Sequence, residues 1–197
     1  GNYQFKSLMT SERYEVKVNK KLVDATYLKT SVPATHTPSF SVSESVNFIP
    51  INDLTKVQQV PDHFVIIGGG KTGIDACLWL LENGVSPDKI IWIVSRDAWL
   101  IDRQNAQPTL EFFEHSIGAQ ANQLEAIAQA DSVEDLFDRL EAAGVLLRID
   151  RDIRPKMFHG ATISQLELEQ LRRIKNIIRL GRVKSIETEG SNRHFQI

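Results

Sequence analysis

The sequence predicts an α/β fold, a Rossmann-like parallel sheet with flanking helices. Three observations predict it. Phe64, Val65, Ile66 and Ile67 form a short apolar run ending in β-branched aliphatics, the composition of a parallel strand buried on both faces. Gly68, Gly70 and Gly73 follow at the G-x-G-x-x-G spacing: the first permits a tight turn, the second lets backbone approach a pyrophosphate, and the third lets helix pack closely on strand. An apolar helix face and a second apolar strand, residues 90–94, then complete a right-handed βαβ crossover. Free N–H groups at the start of that helix favour an anion.

A competing phosphate motif is testable from the letters alone. Gly70-Lys71-Thr72 looks like the end of a P-loop, G-x-x-x-x-G-K-[ST], but that motif needs glycine at position 65, where Val65 stands in the strand. A dinucleotide site is therefore favoured over a nucleoside triphosphatase site. A glycine-rich turn that serves packing alone is the plainer reading.

Upstream, residues 14–18 (YEVKV) and 21–25 (KLVDA) are extended runs flanking Asn19-Lys20, the pattern of a β-hairpin. A lone hairpin is marginal in water, so it should belong to a sheet whose other strands lie elsewhere, or be laid against a second domain. Residues 29–61 are rich in Ser, Thr and Pro, with Pro33, Pro38, Pro50 and Pro61 spaced through them, and read as a connecting segment. Within it, residues 46–51 offer a short strand or extended contact and Asn52-Asp53-Leu54 a brief helical turn.

After the glycines, Ile74, Cys77, Leu78 and Leu81 recur at i, i+3, i+4 and i+7, one face of a helix that packs on the sheet, and Asn83-Gly84 ends it. The end of the next strand selects the dinucleotide, because an acid there accepts from a ribose 2′-OH while an arginine accommodates a 2′-phosphate. Ser95 and Arg96 suit the phosphate of NADP(H), which is favoured over NAD(H); Asp97 sits further on, where it turns away from the ribose. The other reading of Arg96 is a solvated surface arginine. Trp99, Leu100 and Ile101 lead to Asp102-Arg103, a loop beyond a strand's carboxyl end, where open parallel sheets bind ligands. Arg103 is a second phosphate candidate, or else an ion-pair partner of Asp97 or Asp102. Lys71 either reaches a phosphate as a point charge or stays solvated, and Thr72 either bonds a phosphate oxygen or caps the helix.

Three helical stretches follow, at residues 108–115, 122–130 and 133–143, the last capped by Ser132, and they read as an insertion leaning over the cofactor crevice. Residues 145–149 (VLLRI) are a buried-strand candidate, 150–159 a loop, and 165–174 a helix capped by Ser164. Residues 176–180 return as a strand. Strands at 181–187 and 195–197 are joined by the polar turn 189–192.

Apolar residues at 42%, charged residues at 24% and a net charge of -2 describe an ordinary globular protein without a field for nucleic acid or anionic membrane. No run approaches a membrane span and the polar start lacks a signal-peptide core, so the cytoplasm is the default. The single cysteine, Cys77, excludes an internal disulfide or C-x-x-C pair and reads as a small packing residue. No metal site is evident. His115 and His159 are the histidines best placed for a crevice role, but surface or packing roles outweigh it, and no residue stands out as a general acid or base.

These residues resemble the flavin-dependent NAD(P)H oxidoreductases with two dinucleotide-binding domains, the group that includes flavin-containing monooxygenases and pyridine nucleotide-disulfide reductases. In that family the nicotinamide domain is inserted within the flavin domain, after a hairpin, an apolar strand ending in Ala-Thr-Gly and a proline-marked crossover. Lys21-Leu22-Val23-Asp24-Ala25-Thr26-Tyr27, then Pro33 and Pro38, look similar, with Tyr27 where the family has glycine. Gly68, Gly70 and Gly73 match the family's second glycine fingerprint, and Arg96 matches the basic position of its NADPH-using members. The resemblance implies that residues 1–45 are the hairpin and crossover of a truncated FAD domain, 46–183 an NAD(P)-binding Rossmann-like domain with a helical insertion, and 184–197 strands returning towards the FAD domain. It also implies an upstream fingerprint for FAD, poor FAD binding by this chain alone, and hydride delivery from NADPH to flavin in an intact enzyme, for monooxygenation or another acceptor. The substrate and oligomeric state are not implied.

Two rivals stand beside it. A regulatory NAD(P)-sensing module would bind the dinucleotide and transfer no hydride, but needs no flavin-domain flank. A single-domain dehydrogenase would turn over without flavin.

Overall fold

The computed structural model describes residues 1–7, 10–24, 32, 34–189 and 192–197, with the side chains of 189 and 192–194 outside that description. The chain is mixed α/β, and its strands form several small sheets, some of them parallel. Contacts divide it into two compact units, Gly1–His36 and Thr37–Ile197.

In the first unit, β1 (Asn2–Lys6) and β2 (Arg13–Lys17) pair antiparallel from Asn2↔Lys17 to Lys6↔Arg13. This corrects the predicted hairpin: β2 pairs with the strand before it, and residues 19–24 contain no strand. The reason lies in the connections. Asn19-Lys20 has no glycine to take the positive φ that a tight hairpin turn demands. Between β1 and β2, Ser11 takes a φ of 61°, and the Ser7 N–H donates to the Glu12 carbonyl at 2.9 Å. Phe5 stacks on Tyr14 across the pair, with ring centroids 5.2 Å apart. The Ala25-Thr26-Tyr27 segment and the 190–191 turn lie outside the described residues.

In the second unit, β3 (Ser41–Val42) is followed by a 3-10 turn, Ile51–Lys56, at the predicted place, while 46–50 contains no strand. Then come β4 (Phe64–Ile67), α1 (Lys71–Glu82), β5 (Ile90–Ile93), β6 (Ala98–Asp102), α2 (Phe113–Gln129) and α3 (Val133–Ala142). The two helices predicted at 108–115 and 122–130 are largely one: α2 runs through Gly118, whose cost of about 1 kcal/mol a long helix tolerates. The chain closes with β7 (Leu146–Leu147), β8 (Met157–Ile163), α4 (Gln165–Leu171), β9 (Ile177–Ile178), β10 (Ser185–Glu189) and β11 (Asn192–Gln196).

The sheet that positions the glycine turn has the order β4-β5-β9, parallel throughout, with Phe64↔Ile90 to Ile67↔Ile93 in register and Trp92↔Ile177 beyond. Alternation decides its two faces. Phe64, Ile66, Trp92, Val94 and Ile177 pack with α1 and α4, whose Ile74, Cys77, Leu80, Leu168 and Leu171 are at most 1% exposed. Val65, Ile67, Ile93 and Ile178 pack instead with Val42, Val183, Ile186 and Phe195, which belong to or adjoin the sheet β11-β10-β3. Each face is therefore covered, as a parallel sheet requires. The buried arc of α1 is wider than the four predicted positions, because Ala76 and Leu80 are also enclosed and Leu81 is only half-buried.

A third sheet, β7-β6-β8, was legible only in part. Only two residues of the predicted strand 145–149 pair, and they run antiparallel to β6. Residues 157–159, predicted as loop, begin β8, which lies parallel to β6. Asp102, predicted in a loop, ends β6 and caps the 3-10 turn that follows, its carboxylate accepting from the Gln104 N–H at 3.1 Å.

Candidate functional site

The turn between β4 and α1 is held by close backbone contacts and by one side chain, Trp92. Gly68 takes a φ of 125°, a region that favours glycine; its N–H donates to the Ile93 carbonyl at 2.9 Å. Its own carbonyl accepts from the Trp92 indole Nε1 at 2.8 Å. Trp92 is fully buried, so this bond both satisfies the indole N–H and anchors the turn. A Cβ on Gly73 would overlap the Gly68 carbonyl oxygen, the close helix–strand approach for which the third glycine is needed. A Cβ on Gly70 would meet nothing within 4 Å, so the second glycine faces open space. Gly70 is the N-cap of α1, and no side chain caps the helix. Its first-turn N–H groups lie beside that space without an intrahelical acceptor.

Sequence reasoning passed over Gly69, whose added Cβ would sit 2.7 Å from Val94 Cγ1 and 3.3 Å from the Arg96 carbonyl oxygen. This packs the turn against the chain leaving β5 and brings Ser95 and Arg96 beside the glycines. The signal was the unbroken Gly68-Gly69-Gly70, one glycine more than the spacing asks for.

Of the predicted contacts, Gly68, Gly70, Thr72, Gly73, Ser95 and Arg96 come together at the carboxyl ends of β4 and β5. Thr72 is exposed in the first turn and does not cap the helix. Lys71 is paired with Asp75 one turn on. Arg96 is exposed, and among the described residues its guanidinium makes no hydrogen bond or ion pair. Its neighbour Asp97 is committed: Arg179 Nε and Nη2 donate to its two oxygens at 2.9 and 3.2 Å, and Asp150 approaches the same guanidinium at 3.3 Å. An acid thus stands near the strand end but is neutralised by an arginine from the end of β9.

Arg103 does not join the turn. It follows the far end of β6, about 16 Å along an extended strand from the glycine side, and pairs with Glu167 at 2.9 Å rather than with Asp97 or Asp102. Burial acts to raise the Glu167 carboxyl, but hydrogen bonds from Ser164 and the charge of Arg103 outweigh it and hold the group below its ordinary value. Asp102 is buried and accepts from Gln165 Nε2 at 2.7 Å. His115 lies exposed on α2 with its ring centroid 6.1 Å from that of Phe112, and His159 is exposed on β8. Burial pushes the Cys77 thiol up to about 12, so it packs as a neutral group.

Pockets of about 310 and about 240 Å³ lie elsewhere, and neither is lined by a residue of the glycine turn. Among the described residues no helix is long and apolar enough to cross a membrane.

The chain is similar to uncharacterized proteins of Mycobacterium bovis and of two strains of Mycobacterium tuberculosis, each 51% identical over 190 residues that make up 95% of this chain. It spans about a third (34%) of the length of these curated relatives. No family model matches the chain, and no solved structure matches it.

Proposed function

We propose that the chain is the NADP(H)-binding portion of a flavin-dependent oxidoreductase. In this reading β4-α1-β5 and β5-α4-β9 are the two parallel crossovers of a Rossmann half, and the β6 to β8 region is an insertion in the second of them. The observation that carries it is the division of labour among the glycines. Gly73 is wedged against the Gly68 carbonyl, while Gly70 opens onto the uncapped helix start and the unpartnered Arg96 flanks it. That set fits a pyrophosphate over Gly70 with the first-turn N–H groups of Lys71, Thr72 and Gly73 beside it, and a 2′-phosphate at Ser95 and Arg96. With Asp97 held by Arg179, the acid that would select NAD(H) is withdrawn, which favours NADP(H).

The parallel pairing of β3 with β10 supports the insertion reading. The chain leaves residues 41–42 and returns at 185–186 beside them, as expected of a domain inserted into another. The bound dinucleotide would supply a hydride to the flavin of the whole protein; the residues described here bind and orient it. FAD and a cytoplasmic setting belong to the same proposal.

Calorimetric titration with NADPH and NADH, beside Arg96→Asp, tests the reading. Tighter binding of NADPH that is lost in the variant is the expected result. Failure of both dinucleotides to bind would sink it.

A further inference from the structure

We propose that the pocket of about 310 Å³ between α3, β7 and α4 binds a small organic carboxylate. It shares no residue with the glycine turn and stands whether or not that turn holds a dinucleotide.

Leu146 and Leu168, both buried, and the half-buried Leu147 give a mostly polar lining an apolar patch. Three arginines line it, Arg148, Arg151 and Arg172, against one acidic residue, Glu141. Glu141 is already taken: both its oxygens accept from Arg148, from Nε and Nη2, each at 2.6 Å. Arg148 also lies 5.6 Å from the centroid of the buried Trp99 ring, which fixes its plane. Arg172 donates Nε to the Ile149 carbonyl and Nη2 to the Arg148 carbonyl, both at 2.9 Å, and so stays in place without an acid of its own. Arg151 is exposed and has no hydrogen-bond or ion-pair partner among the described residues.

The result is a rigid basic wall with uncommitted donors. Arg148 and Arg172 each use Nε and Nη2 within the chain, which leaves Nη1 of both without a partner among the described residues. Burial, and after it the charge of Arg151, lower the Arg172 guanidinium from its ordinary value, and the nearby acids Glu169, Asp150 and Glu141 do not restore it. An anion held between Arg151 and Arg172 would relieve that repulsion, and guanidinium forks match a carboxylate. The size admits a small molecule and excludes a dinucleotide. The leucine patch gives a short apolar body a place behind the charge, which separates an organic carboxylate from a bare inorganic anion.

The test follows the backbone amide resonances of the whole chain during titration with n-butyrate, n-butanol and inorganic phosphate, in wild type and in Arg151→Glu. Arg151 holds no contact that folding needs, and an unchanged thermal unfolding midpoint checks that. Saturable shifts at residues 146–151 and 172 with butyrate alone, weakened at least tenfold in Arg151→Glu, are expected. The proposal is overturned if butyrate does not saturate in wild type, if the variant binds it equally well, or if phosphate binds as tightly as butyrate.

Discussion

Arg96 and Arg103 stand on either side of β6, and both looked from the sequence like phosphate-binding arginines. Their surroundings separate them. Arg103 is locked to Glu167, itself part of the capping box that starts α4, so its charge serves architecture. Arg96 follows a strand end, has no partner among the described residues, and lies beside a turn built mainly from glycine backbone. The same contrast runs through the two halves of the unit. At β6, Arg103 is taken up by Glu167, while at β4 the turn is set by close backbone contact and by the Trp92 indole, which leaves the first-turn N–H groups and Arg96 free. A cation's partner list, more than its position at a strand end, tells which kind of site it belongs to.

The largest effect that could break this comparison lies at Gly73. Because an added Cβ meets backbone rather than a movable side chain, Gly73→Ala should lower stability by about 3 kcal/mol in urea unfolding. A neutral result would mean that the turn relaxes freely. Trp92→Phe removes the bond to the Gly68 carbonyl and leaves a cavity, and should cost about 2 kcal/mol while loosening the turn, read as faster amide exchange at Gly68 and Gly69.

Smaller effects sharpen the contrast. Glu167→Gln keeps the capping-box geometry but removes the charge facing Arg103, and should cost about 0.5–1 kcal/mol at neutral pH. The sign follows from linkage. A carboxyl held below its ordinary value stabilises the fold above the pH at which the unfolded group ionises, and loses that contribution as pH falls through the folded value. The difference between wild type and variant should therefore vanish in acid, and a difference independent of pH would refute the charge pairing. Gly70→Ala is the smallest for stability, within about 1 kcal/mol, since its Cβ meets open space. The same change should weaken NADPH binding at least tenfold, and unchanged affinity would separate Gly70 from any ligand.

What could be read from the letters was local. Residues 64–94 carry an apolar run, a glycine spacing and a helical period within single windows, and the strand, turn, helix and second strand were found where predicted. Ser132 and Ser164 announced their helices through cap chemistry, and both side chains do cap. What stayed hidden depends on distant partners. Asp97 meets Arg179 across 82 positions, and no local pattern marks that pair. Residues 157–159 follow Pro155 and carry no local strand signal, although the parallel neighbour β6 supplies the bonds of β8. The extended pattern of β2 is local, but its partner is β1, upstream, and not the run at 21–25.

The pairing of β3 with β10 also has a mechanical consequence. The two strands run in the same direction, so tension applied upstream of β3 and downstream of β10 loads the pair in shear. The bonds from the Ser41 N–H to the Lys184 carbonyl and from the Ser43 N–H to the Ile186 carbonyl then bear the force together instead of opening one after another. A pull along the chain would strain this short clasp before it reached the parallel sheet that carries the glycine turn.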